Sequence, residues 1–279
     1  MNRTRALGTA VALGLVVLAA VWTMRPGIPA LRVELPETVF LEDMTWTEVA
    51  EALRQGKTGV IVPTGGVEQN GPHMILGKHN RVVHHTAEAI ARALGNTLVA
   101  PVVGYVPEGD IKPPSGHMLF AGTLSIPEPV FEALLESTAR SLKAHGFTRI
   151  YFIGDSGGNQ AGQARVAEKL TAEWAGQGVL IAQIGDYYAA NGQIDWLLQQ
   201  GETRDRIGSH AGIRDTSEVM AVYPDGIRRR LLHIDGQPPP PTLGVLGDPG
   251  RASAERGRAL LNLKVQAALR QIRGLSAVR

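Results

Sequence analysis

The 279-residue chain contains no cysteine. That absence excludes disulfides, thiolate-ligated zinc, iron–sulfur clusters and a thiol nucleophile together. A surplus of one charge is also missing: 28 Lys and Arg stand against 26 Asp and Glu, for a formal net charge of +2. The basic residues are scattered, with short clusters only at Arg3/Arg5 and Arg228–Arg230. No basic stripe calls for nucleic acid. Internal repeats are absent as well. What remains, 44% hydrophobic and 19% charged residues, is the composition of a globular protein able to bury one sizeable core.

One long apolar run stands out. Arg3 and Arg5 precede Ala6–Met24, which is uncharged and long enough to cross a bilayer. It reads as a membrane anchor with its positive end inside or as an exported signal segment, and no clean small-x-small cleavage site follows it. Either reading places the rest of the chain outside the cytoplasm. Residues 1–30 are therefore assigned to this segment and its Pro-containing linker, and 31–279 to a single domain.

Along that domain helix and strand signals alternate. Helices are expected over Thr45–Leu53, Val82–Leu94, Pro129–His145, Asn159–Ala175 and Ala252–Ile272, and strands over Gly59–Pro63, Leu98–Val103, Arg149–Ile153 and Val179–Ile184. Such βαβ alternation implies a mostly parallel sheet covered on both faces, an α/β fold. The proline-rich stretch Asp235–Gly250 reads as a loop within it.

The segment IGDSGG, Ile153 to Gly158, has the letters of a serine-protease nucleophile. Its context is wrong, because that motif belongs to an all-β fold. The lipase-type pattern G-x-S-x-G also fits, but it needs a later acid and histidine, for which only Asp215 and His233 qualify. The position itself is more informative. A loop at the carboxyl end of a parallel strand is where ligands bind; Gly157 and Gly158 permit close backbone approach, and Asp155 offers a carboxylate.

A second such loop is PTGGVEQNGPHMILGKHN, Pro63 to Asn80, which gathers Glu68, Gln69, Asn70, His73, Lys78, His79 and Asn80. Carboxylates with imidazoles suit a divalent metal such as zinc or manganese. GHMLFAGT carries His117, and HAGIRDTS carries His210 and Asp215. His84, His85, His145 and His233 lie on a helix or near element ends and read as structural or surface residues.

Taken in order, these stretches resemble the creatininase (creatinine amidohydrolase) family over nearly the whole domain. Its motifs P-x-G-x-x-E-Q-H-G-P-H-L-P-x-x-T-D, G-H-x-x-F-x-G-T, N-G-H-G-G-N and H-A-G-x-x-E-T-S fall on Pro63–Asn80, Gly116–Thr123, Gly154–Asn159 and His210–Ser217. The resemblance implies a three-layer α/β/α sandwich around a mostly parallel sheet, a homo-oligomer such as a hexamer, and metal-dependent hydrolysis of a small-molecule amide or cyclic amide. Carried over by position, the acidic ligand falls on Glu68. The next ligand, a histidine, falls on Asn70; the aspartate that bridges two metals falls on His79; a further histidine falls on Ser156; and a glutamate falls on Asp215. A neutral imidazole binds one ion rather than bridging two. A metal set of Glu68, His79, Asp155 and Asp215 is therefore expected, holding one zinc, manganese or iron ion rather than two. His210, His117 and His73 are expected to transfer protons or hold the oxyanion, and Asn70, Ser156, Gly157, Gly158 and Asn159 to contact substrate. The altered ligands leave a second reading open, a catalytically degenerate extracytoplasmic module that binds a small molecule or acts as a scaffold.

Overall fold

The computed structural model describes residues 33–277, so the apolar run Ala6–Met24 lies outside the described residues. Thr45 starts the first helix, α1 (Trp46–Arg54), by accepting from the Glu48 N–H while the Glu48 carboxylate accepts from the Thr45 N–H. The sheet is built from β1 (Gly59–Thr64), β2 (Thr97–Val99), β3 (Arg149–Gly154) and β4 (Leu180–Gln183). They pair in the order β2-β1-β3-β4, all parallel. Strand β2 stops at Val99, short of the expected Val103. Beyond it the Ala100 N–H still donates to Ile61, Pro101 has no N–H to offer on the outer edge, and pairing with β1 resumes only at an isolated Thr64–Val103 bridge.

All six residues of β1 are buried, the pattern of a strand covered on both faces. One face carries Ile61, Tyr151 and Ile153 against Val83, Ala87 and Ile90 of α2 (Lys78–Leu94). Val265, Ala268, Leu269 and Ile272 of α8 (Ala254–Ala277) belong to the same cluster. By the period-two rule Val60, Val62, Ile150 and Phe152 face the other way. On that side lie α3 (Glu128–Ala144) and α4 (Gln160–Glu173), which pack against each other and, through α4, against β3 and β4. The result is the three-layer α/β/α sandwich the sequence implies. Three shorter helices, α5 (Gln193–Gln199), α6 (Arg204–Ile207) and α7 (Ile213–Val222), had no clear sequence signal.

Register places the site. Thr64 pairs with Gly154, so the loops leaving β1 and β3 emerge side by side at the carboxyl edge of the sheet. Helix α2 begins at Lys78, not at Val82, which moves Lys78, His79 and Asn80 from a loop into its first helical turn.

Candidate active site

Five parts of the fold converge at this edge. Glu68 comes from the loop after β1, Lys78 and His79 from the start of α2, Asp155 and Ser156 from the turn after β3, Asp215 and Glu218 from α7, and Lys264 from the middle of α8. Asp215 and Glu218 are three apart, hence on one face of their helix. Asp215 also accepts the Ala211 N–H at 2.7 Å, which fixes its rotamer.

These side chains form a buried chain of alternating charge. Lys78 Nζ lies 3.1 Å from Asp215 Oδ2 and 3.3 Å from Glu68 Oε1. His79 joins Glu68 to Asp155, with Nε2 2.8 Å from Glu68 Oε1 and Nδ1 2.7 Å from Asp155 Oδ2. Lys264 Nζ bonds to Asp155 Oδ1 and lies 3.4 Å from Glu218 Oε2. Tyr187 donates its hydroxyl to Asp155 Oδ1 at 2.8 Å. Burial and the Lys78 charge push His79 down, yet its bonds to two carboxylates prevail and hold it up at about 9. It is therefore an imidazolium at neutral pH. Burial alone would raise Glu68, Asp155 and Asp215, but the neighbouring cations hold all three carboxyls below the usual range.

In front of this chain opens a cavity of about 580 Å³. At its floor Glu68 Oε2 lies 3.2 Å from His117 Nε2, and Glu68 Oε1 lies 3.7 Å from His210 Nδ1. The two imidazoles are tilted against each other with centroids 4.6 Å apart. Burial holds both below their ordinary value, His210 down to about 4, so both are neutral. One ionised carboxylate and two neutral imidazoles, with ligand atoms all within 4.8 Å of one another, fit a single divalent cation. Gln69 governs the ring tautomers. Its Oε1 accepts the Gly71 N–H at 2.9 Å, and its Nε2 lies 3.1 Å from both His117 Nδ1 and His210 Nε2, donating to the former. The Gln69 backbone carbonyl, 2.9 Å from His210 Nε2, accepts a proton held there, which leaves the Nδ1 lone pair facing Glu68. His117 would offer Nε2 to the same ion with its ring proton on Nδ1.

The cavity wall holds Glu108, which the sequence reading did not single out. Burial first, then the Glu68 charge, push its carboxyl up to about 8. Ser156 donates its hydroxyl to Glu108 Oε2 at 3.2 Å and accepts the Gly158 N–H. With no imidazole on it, Ser156 is a hydrogen-bonding residue rather than an activated nucleophile. A Cβ on Gly158 would lie 2.0 Å from the Pro107 carbonyl oxygen, so this crossing requires glycine. Gly158→Ala is expected to cost about 1–3 kcal/mol in urea unfolding. A variant with the parent's midpoint would show that the wall yields freely.

Several expected site residues fall elsewhere or do something else. His79 uses both ring nitrogens as donors to carboxylates and keeps no lone pair for a metal. Asp155 and Asp215 are engaged by Lys264 and Lys78. His73 is fully buried outside the cavity lining, with Nε2 3.0 Å from Thr216 Oγ1. Asn70 ties its own loop by donating to the Glu68 and Ile75 carbonyls. Asn159 donates to Thr64 Oγ1 and the Gly65 carbonyl, joining the ends of β1 and β3. Glu68, His79, Asp155, Asp215, His117, His210, Ser156, Gly157 and Gly158 all line the cavity. The missed Lys264 left one legible signal. It sits inside the apolar stripe Leu260, Leu261, Val265, Ala268, Leu269 and Ile272, where a lone charge needs a buried partner.

The chain is similar to known proteins over most of its length. Residues 42–272 match the family described as creatinine amidohydrolase. A mycofactocin precursor peptide peptidase of Mycobacterium tuberculosis is 26% identical over 237 residues, covering 76% of this chain and 84% of its own length. The creatinine amidohydrolase of Pseudomonas putida is 24% identical over 250 residues, covering 83% and 95%. A solved manganese creatininase superposes with a TM-score of 0.69 at 25% identity, covering 85% of this chain and 98% of its own. With more than half its length matched and the same layered sheet, the chain belongs to the creatinine amidohydrolase family of hydrolases.

Proposed function

We propose that the chain hydrolyses a C–N bond, amide or cyclic amide, of a small non-peptide molecule, using one zinc, manganese or iron ion held by Glu68, His117 and His210. The observation that carries this reading is the meeting of one ionised carboxylate and two neutral imidazoles at the floor of the cavity. Its volume of about 580 Å³ suits a compact substrate. When bound, such an ion polarises a carbonyl and lowers the pKa of a coordinated water from about 15.7 toward about 7. The chain's own residues do the rest. Lys78 and His79 keep Glu68 ionised from behind. Glu108 keeps a proton on its carboxyl at the cavity wall, next to Ser156, ready for a departing nitrogen. Gly157 and Gly158 leave backbone open to the substrate. The apolar run Ala6–Met24 behind Arg3 and Arg5 supports an extracytoplasmic position, held by an N-terminal anchor or reached by a signal segment.

His210→Ala tests the ligand set. It should weaken zinc or manganese affinity by more than about 100-fold and abolish turnover of a panel of small linear and cyclic amides. Urea unfolding should lose only about 1–3 kcal/mol, the cost of the His210 contacts with Gln69. A parent protein, purified without a histidine tag, that takes up no stoichiometric zinc, manganese or iron would sink the reading. One observation favours the non-hydrolytic alternative: Asp155, Asp215 and Glu218 are each already paired with an internal cation. Ligand binding without turnover in the parent would select that alternative.

A further inference from the structure

Asp215, Glu68, Asp155 and Glu218 approach one another along the inner wall of the cavity, all less than a tenth exposed. Carboxylates gathered so closely at a buried wall persist only with cations among them. The cations here are side chains. Lys78 Nζ bridges Asp215 and Glu68, and Lys264 Nζ bridges Asp155 and Glu218, while His79 spans the gap between Glu68 and Asp155. Each ammonium sits between two carboxylates, as a bridging divalent ion would. Lys78 and Lys264 are only 3% and 5% exposed. The Lys264 ammonium also lies 4.9 Å from the centroid of the Tyr187 ring.

We propose that Lys78 and Lys264 are permanent organic replacements for bridging metal ions. They occupy the cation positions among these four carboxylates, so the chain takes up at most one divalent ion and folds without any. The proposal does not depend on hydrolysis, nor on whether Glu68, His117 and His210 hold an ion.

The test is metal stoichiometry combined with thermal unfolding. The parent is stripped with a chelator, checked by near-UV circular dichroism, loaded with excess zinc or manganese, desalted and analysed for metal. It should stay folded when stripped and bind no more than one equivalent. Zero would count against the ligand set proposed above and still support the lysine replacement. Lys264→Ala frees Asp155 and Glu218 and should lower Tm by on the order of 10 °C. Added zinc or manganese should recover much of that loss, with one more equivalent bound than in the parent. Two equivalents in the parent, unfolding on chelation, or a folded Lys264→Ala protein that gains no ion would each overturn the proposal. If Lys264→Ala does not fold, Lys78→Ala is read in the same way, and the parent's stoichiometry decides alone.

Discussion

Glu68→Gln is expected to abolish hydrolysis and to destabilise the fold by about 3–5 kcal/mol, the usual cost of removing one partner from a buried ion pair. Two effects meet at this residue. Toward the cavity its carboxylate completes the set with His117 and His210. Behind, Oε1 accepts from both His79 and Lys78. Glutamine keeps an acceptor oxygen but not the charge, leaving two buried cations short of a counter-ion. Its NH2 group also turns a donor toward one of three neighbours that donate. Urea unfolding followed by circular dichroism measures the loss. Glu51→Gln is the control, because Glu51 pairs with Arg54 at an exposed site and its loss should leave the midpoint unchanged. A Glu68→Gln midpoint equal to that of the control would show that the buried chain of charges contributes nothing to stability.

Stability should fall as pH rises from about 6.5 to about 9. The direction follows from two groups that hold protons more tightly when folded. His79 is raised from 6.5 to about 9, so its contribution is complete below 6.5 and disappears as pH climbs through 9. Glu108 is raised from 4.5 to about 8, so the unfolded chain releases that proton first and the folded state loses ground from about pH 4.5 to about 8, overlapping the lower part of the His79 window. At about 1.36 kcal/mol per unit, His79 alone accounts for roughly 3–4 kcal/mol. On the acid side Glu68, Asp155 and Asp215, all held low, contribute stability that is present above their ordinary range and is lost as pH falls below it. Denaturation midpoints at pH 6, 7.5 and 9 measure the alkaline limb. His79→Gln should lower the pH 6 midpoint and flatten the slope. A parent protein that gains stability toward pH 9 would refute the charged state assigned to His79.

Much of the architecture was legible because it repeats locally. Apolar runs of strand length alternating with helical stripes dictate a parallel sheet, and a parallel sheet dictates that the loops after its strands hold the site. Strand propensity alone ran past Val99, where β2 stops. The roles within the site were harder to read. His73, Asn70 and Asn159 carry the residue types of a reactive loop, but their partners are Thr216, backbone carbonyls and Thr64. A polar side chain in a dense loop serves chemistry or architecture according to which way its Cβ points, and spacing does not set that direction.

By itself the sequence determined the layered α/β fold, the two loops at the sheet edge, and Glu68, His117, His210 and Ser156 as groups that meet there. It also determined that no thiol takes part. The tertiary structure alone decided that the carboxylates are neutralised from within. Lys264 lies 109 residues beyond Asp155, and Asp215 lies 137 beyond Lys78. Such pairs are set by how α7 and α8 pack against α2, and helix packing is the joint result of the whole apolar core rather than of any local pattern. A lysine within an apolar stripe announces that it needs an anion, while only the folded core supplies which one.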